Sequence, residues 1–219
     1  MAKIFITKSI TTEDHWAKSL MDDGHELLGA SCIETQRINI EAVPTSDWTF
    51  FSSAQGVKHF LEQHSISSSF IGVMGEGTLK ALKSFGLSAD FIGQSSDPEM
   101  VGKDFASALK PNQSILFPAS LISKQNIAKQ IVGHTILHLP CYQTLPKANK
   151  VGPHDLYLFT SPSNVDGFLL EQPLPDANLM AYGPTTGAYL KTQGARNVTV
   201  LHQITDAQLY HTIKEKVSG

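Results

Sequence analysis

The chain has 219 residues, of which 41% are hydrophobic, and its formal net charge is −3. This length suits one large or two small domains with buried cores, and the slight acidity supplies no positive field that would attract nucleic acid. The apolar runs are strand-sized, far below the roughly 20 residues of a membrane-spanning helix, and no signal-peptide cleavage pattern follows the N-terminus. We therefore expect a soluble, cytoplasmic protein that binds neither nucleic acid nor membranes.

Short apolar runs alternate with amphipathic segments from the N-terminus onward. The β-forming runs predict strands at residues 4–6, 48–51, 70–74, 115–117, 156–160 and 179–182. Helical spacing and capping signals predict helices at 13–21, 53–61, 79–85, 98–109 and 123–131, and helices that begin near Ser163, Thr185 and Asp206. Extended segments lie at 32–43 and 136–145. This alternation is typical of parallel sheets flanked by helices, an α/β fold.

An internal repeat is the most informative feature of the sequence. Residues 47–53 (DWTFFSS) are echoed 108 residues later by residues 155–161 (DLYLFTS). With this offset held, 11 of the 40 positions from Asp47 to Gly86 are identical, against on the order of two or three expected by chance. The repeat predicts two similar domains, each a parallel sheet flanked by helices.

Four predicted strand-to-helix turns are rich in glycine and hydroxyl residues. Ligands of open parallel sheets bind beyond the carboxyl ends of the strands, and helix N-termini there favour carboxylates or phosphates. N-capping alone explains any single turn, but four similar turns in two copies favour a cleft with anion-binding walls. The candidate binding residues in these turns are Ser52, Ser53, Ala54, Gln55, Gly75, Thr78, Ser161, Pro162, Ser163, Asn164, Gly183, Pro184, Thr185 and Thr186.

Motifs for metal, nucleotide or nucleophilic chemistry do not occur in the sequence. The nine histidines include no HExxH or His-x-His arrangement, and Cys32 and Cys141 lack zinc-type spacing. A phosphate-binding P-loop, a dinucleotide fingerprint and a Gly-x-Ser-x-Gly elbow are likewise missing. We therefore expect no metal site.

At the repeated segments the sequence resembles the uroporphyrinogen-III synthase family. The resemblance rests on residues 47–53 with Val57, 74–78 with Leu82 and Gly86, 141–144, 159–163, and 183–186 with Leu190 and Gly194. Each motif is weak alone, but their order and spacing extend across nearly the whole chain. The resemblance implies an enzyme of tetrapyrrole (haem) biosynthesis, a lyase that uses no cofactor. Separately, we expect the protein to bind a small-molecule substrate as a monomer.

The resemblance also implies the domain organisation. One domain is discontinuous and comprises residues 1–33 and 147–219, while residues 41–138 form the other. Residues 34–40 and 139–146 are the linker strands that join the domains and run side by side as a two-stranded ladder.

The reaction implied by the resemblance is the cyclisation of hydroxymethylbilane to uroporphyrinogen III, with inversion of the terminal pyrrole ring and loss of water. Tyr142 matches the family's tyrosine and would be the catalytic acid, although a packed linker tyrosine explains it equally well. Lys8 stands where the family usually has arginine, so it keeps the charge as a substrate-binding group but loses the bidentate fork. Residues 118–120 (PAS) also replace a common arginine.

Two other functions are compatible with the sequence. A two-domain protein could bind a polyanionic small molecule without catalysis, and the substituted arginine positions favour this alternative. A nucleotide-dependent or sugar-nucleotide-dependent transferase is disfavoured because an acidic metal-binding pair and a glycine-rich phosphate loop are missing. Tyr142 and the doubled hydroxyl-rich turns favour the enzyme.

Overall fold

The structure, a computed structural model, describes residues 1–95, 97–202 and 205–218. Its strands are β1 (Lys3–Ile6), β2 (Glu26–Gly29), β3 (Ile33–Arg37), β4 (Trp48–Phe51), β5 (Phe70–Val73), β6 (Phe91–Ile92), β7 (Ser114–Ser120), β8 (Thr135–Pro146), β9 (Leu156–Phe159), β10 (Asn178–Tyr182) and β11 (Val198–Leu201). Its helices are α1 (His15–Asp22), α2 (Ala54–Leu61), α3 (Glu76–Ser84), α4 (Pro98–Ala108), α5 (Pro162–Leu169), α6 (Gly183–Thr192) and α7 (Asp206–Ser218). The alternation confirms the predicted α/β fold.

The chain divides into two compact units. The terminal unit combines Met1–Glu34 with Leu145–Gly219, and the central unit is the continuous segment Thr35–Thr144. The extended segments at 32–43 and 136–145 contain β3 and most of β8, which are neighbouring strands of one sheet. Both strands continue across the division between the units.

The terminal unit contains a five-stranded sheet in the order β11-β10-β9-β1-β2, with every pair parallel. Because successive side chains of a strand point to opposite faces, β1 contributes to two cores. Ile4 and Ile6 pack with Trp16 of α1 on one face, and Phe5 packs with Phe168 of α5 on the other. Burial on both faces accounts for the uninterrupted apolar character of this strand.

The central unit contains a six-stranded sheet in the order β3-β8-β7-β4-β5-β6. The pairs between β8, β7, β4, β5 and β6 are parallel. Phe51 lies in the core formed with α2 and α3. Phe50, the next residue along the strand, lies in the opposite core with Phe105 of α4. Consequently, β4 is buried on both faces, as β1 is in the terminal unit.

The sequence repeat is preserved in the pairing of the strands. Trp48 pairs with Phe70 in the central sheet, and Leu156 pairs with Asn178 in the terminal sheet, 108 residues further on. Similarly, Gly72 of β5 pairs with Phe91 of β6, and the residues 108 positions later, Met180 of β10 and Thr199 of β11, also pair. The two units therefore share the strand order β8-β7-β4-β5-β6 and β2-β1-β9-β10-β11, and β3 is an addition to the central sheet.

One predicted helix is wrong and three strands were not predicted. Residues 123–131 form only a 3₁₀ helix at Ala128–Gln130, preceded by Gln125 at a positive φ of 57°. Ile127 and Ile131 are both buried in the core on the α4 side of the sheet, so their helical spacing reflects burial rather than an α-helix. The strands without a prediction are β2, β6 and β11.

Candidate functional site

The carboxyl edge of the central sheet carries a cavity beside an open hollow. The cavity, of about 200 Å³, is lined by Ser52, Met74, Pro98, Phe117, Ala119, Ser123, Lys124, Gln125, Asn126, Ile127, Ala128 and His138. The hollow, of about 520 Å³, is lined by Ala54, Met74, Gly75, Glu76, Gly77, Thr78, Gly93, Gln94 and Ser95. The ends of β4 and β5, and the first turns of α2 and α3, therefore border open space.

Ser53 joins the helix start to the predicted catalytic tyrosine. As the N-cap of α2, Ser53 accepts a hydrogen bond from the Gly56 amide at 3.1 Å. Its Oγ also lies 3.2 Å from the Tyr142 hydroxyl, so these two groups share a hydrogen bond. Tyr142 is only 7% exposed, and burial raises the pKa of its phenol. The phenol is consequently protonated at neutral pH.

His59 holds the ring of Tyr142 in place. The imidazole stacks on the phenol with ring centroids 5.2 Å apart and planes 18° apart. Thr35 donates its hydroxyl proton to Gln55 at 3.2 Å, so His59 Nε2, 2.9 Å from Thr35 Oγ1, is the donor in that bond. Burial lowers the pKa of His59, which favours the neutral ring, and the bond to Thr35 places the proton of that ring on Nε2. Gln55 was predicted to bind a ligand, but its side-chain oxygen already accepts the hydrogen bond from Thr35.

Neither cysteine is suited to nucleophilic chemistry. Both thiols are buried, and burial raises the pKa of Cys141 to about 12 and of Cys32 to about 11. The Cys141 thiol donates weakly to the carbonyl oxygens of Gly56 and Ala119. Because the thiolate is the reactive species, these residues serve packing.

In the terminal unit, the turn after β9 is a closed hydrogen-bond network. Ser161 caps α5 by accepting from the Asn164 amide at 3.2 Å. The Asn164 side chain donates to Thr160 and Ser161 and accepts from the Cys32 amide at 2.9 Å. Asn164 is 4% exposed, so its side chain supports the turn and has little surface to offer a ligand. Ser163, beside it, is half-buried.

Lys8, two residues beyond the end of β1, forms an ion pair with Asp14 at 2.6 Å. Burial by itself would raise the pKa of Asp14, but the hydrogen bonds from Lys8 and Thr11 and the charge of Lys8 lower it to about 2. The Lys8 side chain is 36% exposed. An ammonium group has three donors, so Lys8 can bind an anion while it remains paired.

The turn after β10 presents exposed and buried residues in succession. Gly183 has a positive φ of 81°, which favours glycine, and Pro184 and Thr185 are exposed. Thr186 is buried, as is Thr78 at the equivalent position of the central unit. The side chains of these two threonines therefore have little surface to offer a ligand.

The structure adds residues that the sequence did not indicate. The Tyr182 hydroxyl is buried without a hydrogen-bond partner among the described residues, and burial raises its pKa to about 12. His138 lines the cavity, with its ring centroid 6.1 Å from that of Phe117, and burial lowers its pKa. Their only sequence signal is their position on strands near the predicted turns.

The described residues contain neither a metal-binding cluster nor a membrane-spanning helix. Residues 1–95, 97–202 and 205–218 contain no group of three or more His, Cys, Asp or Glu side chains that could hold a metal ion. No helix in these ranges is both long and apolar enough to cross a membrane.

The duplicated sheets define the chain as a two-unit α/β protein. Its parallel strands lead into helices whose N-terminal turns are rich in hydroxyl groups. Residues 14–211 match the family model described as uroporphyrinogen-III synthase HemD. The chain belongs to the uroporphyrinogen-III synthase family, as the sequence resemblance indicated.

The chain is also similar to a curated relative and, in its fold, to solved structures. The chain is 23% identical to the porphyrin biosynthesis protein HemD of Ruminiclostridium josui over 94% of its own length, and it spans about half (48%) of that relative. It superposes on uroporphyrinogen-III synthetase from Helicobacter pylori with a TM-score of 0.71 and 17% identity, over 99% of this chain and 100% of the other. A mutant uroporphyrinogen III synthase from Thermus thermophilus gives a TM-score of 0.53 and 14% identity, over 100% and 99% of the two chains. The chain shares the fold of these structures.

Proposed function

We propose that the protein is a uroporphyrinogen-III synthase, a lyase of tetrapyrrole biosynthesis that cyclises hydroxymethylbilane with inversion of its terminal ring and loss of water. Membership of the family supports this proposal. The observation that carries it is the hydrogen bond between Tyr142 and Ser53 at the first turn of α2. This bond links the hydroxyl of Tyr142, a proton donor, to the N-terminal turn of a helix, which favours anions.

The substrate is a flexible polycarboxylate, and the proposed site supplies mostly backbone donors. The first amide groups of a helix have no partner within the helix and carry a partial positive charge. In the central unit the N-termini of α2 and α3 would bind carboxylates in this way. In the terminal unit the corresponding groups would be the N-termini of α5 and α6, with Lys8 as an additional cation. Holding the chain in a folded pose lowers the barrier through proximity and orientation.

Departure of the hydroxyl group requires an acid, and Tyr142 fits this role. The raised pKa of Tyr142 keeps the phenol protonated at neutral pH. Loss of water, completed by the Tyr142 proton, leaves an azafulvenium cation, which the terminal ring attacks through its substituted carbon to form a spiro intermediate. That intermediate fragments and recloses with the ring inverted.

An activity assay with freshly prepared hydroxymethylbilane and no added cofactor tests the proposal. We expect uroporphyrinogen III in excess of the type I isomer that forms spontaneously. The Tyr142→Phe variant should fold normally, which circular dichroism would verify, and form the type III isomer more slowly. A product mixture identical to the protein-free control would contradict the enzyme and favour a protein that only binds the polyanion.

A further inference from the structure

Tyr142 exposes too little of its side chain to contact a ligand directly. Its side chain is almost fully buried, one face of its ring is covered by His59, and its hydroxyl lies 3.2 Å from Ser53 Oγ. A proton that leaves Tyr142 by a hydrogen bond therefore goes first to Ser53.

Ser53 has the bonding capacity to pass the proton on. A hydroxyl oxygen accepts two hydrogen bonds and donates one. The Gly56 amide, 3.1 Å away, takes one acceptor position, and the Tyr142 hydroxyl can take the other. The proton of Ser53 is then available to a third group. Ser53 is half-buried, and its neighbours Ser52 and Ala54 line the cavity and the hollow respectively.

We infer that Ser53, not Tyr142, is the group that contacts the leaving hydroxyl, and that Tyr142 supplies the proton through it. This inference rests on the proposed function. The carbon–oxygen bond of the hydroxymethyl group breaks, its electron pair stays on oxygen, and the Ser53 proton completes the water molecule. Tyr142 reprotonates Ser53 and becomes a phenolate that faces the azafulvenium cation. The proton released from the terminal ring at ring closure returns through Ser53 to Tyr142.

In this arrangement Ser53 is a catalytic residue and His59 is a positioning residue. The stack of His59 on Tyr142, and the bond from His59 to Thr35 at 2.9 Å, fix the direction in which the phenol points. The relay requires that direction because hydrogen bonds weaken steeply as their angle departs from linearity.

Single-turnover kinetics on the full chain test the relay with variants at both positions. Ser53→Gly removes the hydroxyl with little loss of helix capping, because glycine is tolerated at N-cap positions, and Ser53→Thr restores a hydroxyl. We expect Ser53→Gly and Tyr142→Phe each to slow formation of the type III isomer by on the order of 10²-fold, the range of general acid catalysis. The double variant should be no slower than either single variant, because both interrupt one path. Ser53→Thr should recover most of the rate.

Ser161→Gly provides a matched control from the other copy of the repeat. Ser161 caps α5 as Ser53 caps α2, but its Oγ bonds to Asn164 and not to a tyrosine. We expect the effects of Ser161→Gly and Tyr142→Phe to multiply in the double variant.

Two kinds of result would overturn the relay, and they are distinguishable. If the wild-type protein forms the type III isomer but the effects of Ser53→Gly and Tyr142→Phe multiply, or Ser53→Thr is as slow as Ser53→Gly, the relay alone is wrong. If the wild-type protein forms no type III isomer in excess of the protein-free control, the proposed function is wrong and the relay fails with it.

Discussion

Asn164 shows how a residue that looks suited to ligand binding can instead serve the fold. Replacing it by alanine removes the acceptor for the buried amide of Cys32 and two donors to the turn after β9. An unsatisfied buried donor costs about 1–3 kcal/mol. We therefore expect Asn164→Ala to lower the free energy of unfolding by about 2 kcal/mol, measured by chemical denaturation.

Ser163→Ala is the matched control for this prediction. Ser163 is the preceding residue of α5 and only half-buried. Its replacement should change the free energy of unfolding by less than about 0.5 kcal/mol, as is usual for substitutions away from buried networks. Equal destabilisation by the two variants would show that the Asn164 network contributes nothing specific.

At the scale of single residues, local interactions could be predicted and distant ones could not. The N-cap at Ser53 is confirmed, because a capping serine and the amide that it binds are three residues apart. The partner of Asn164 is Cys32, 132 residues away, and that of Ser53 is Tyr142, 89 residues away. Neither pairing leaves a local pattern in the sequence, so the structure was needed to find them.

At the scale of secondary structure, an element could be predicted from the sequence when it was buried on both faces. The strands β1, β4 and β9 are buried on both faces, which produces apolar runs that are easily recognised. By contrast, β6 has two half-buried residues, too few for a pattern. The wrong helix at 123–131 arose because burial on one side of an irregular segment imitates helical spacing.

Gly167 marks a point where the two copies of the repeat have diverged. At the same position of α2, 108 residues earlier, the central unit has His59. A Cβ atom at Gly167 would lie 1.7 Å from the carbonyl oxygen of Cys32, so α5 would have to move away from that backbone. We expect Gly167→Ala to lower the free energy of unfolding by about 3 kcal/mol, the upper range for overpacking.

Gly77→Ala is the comparison for this prediction, because a Cβ atom there meets nothing within 4 Å. Since alanine favours helices over glycine by up to about 1 kcal/mol, this variant should be as stable as the parent or slightly more so. Calorimetry on both variants would check the difference. Similar melting temperatures would mean that α5 adjusts without cost and that close packing does not explain the glycine.

At the scale of the whole molecule, the two units are circular permutations of one arrangement. In the central unit, α4 precedes β7, and five residues (109–113) connect them. In the terminal unit, α7 and β1 occupy the equivalent places but come from opposite ends of the sequence. Hydrogen bonds link Lys216 to Asn178, Asn178 to Asp155, and Asp155 to Lys3. The end of α7 and the start of β1 therefore lie at the same end of the sheet, where β1, β9 and β10 begin.

This permutation predicts that the terminal unit folds as a single continuous chain. We would express residues 145–219 followed by a short glycine-serine linker and residues 1–34, which reproduces the chain order of the central unit. We expect native helix content by circular dichroism and one cooperative thermal transition. Residues 145–219 alone should remain unfolded, because β1 pairs with β9 in the interior of the sheet and its buried residues Ile4, Phe5 and Ile6 belong to both cores. A permuted chain without a cooperative transition, or a folded 145–219 fragment, would contradict the permutation as an account of how this unit is stabilised.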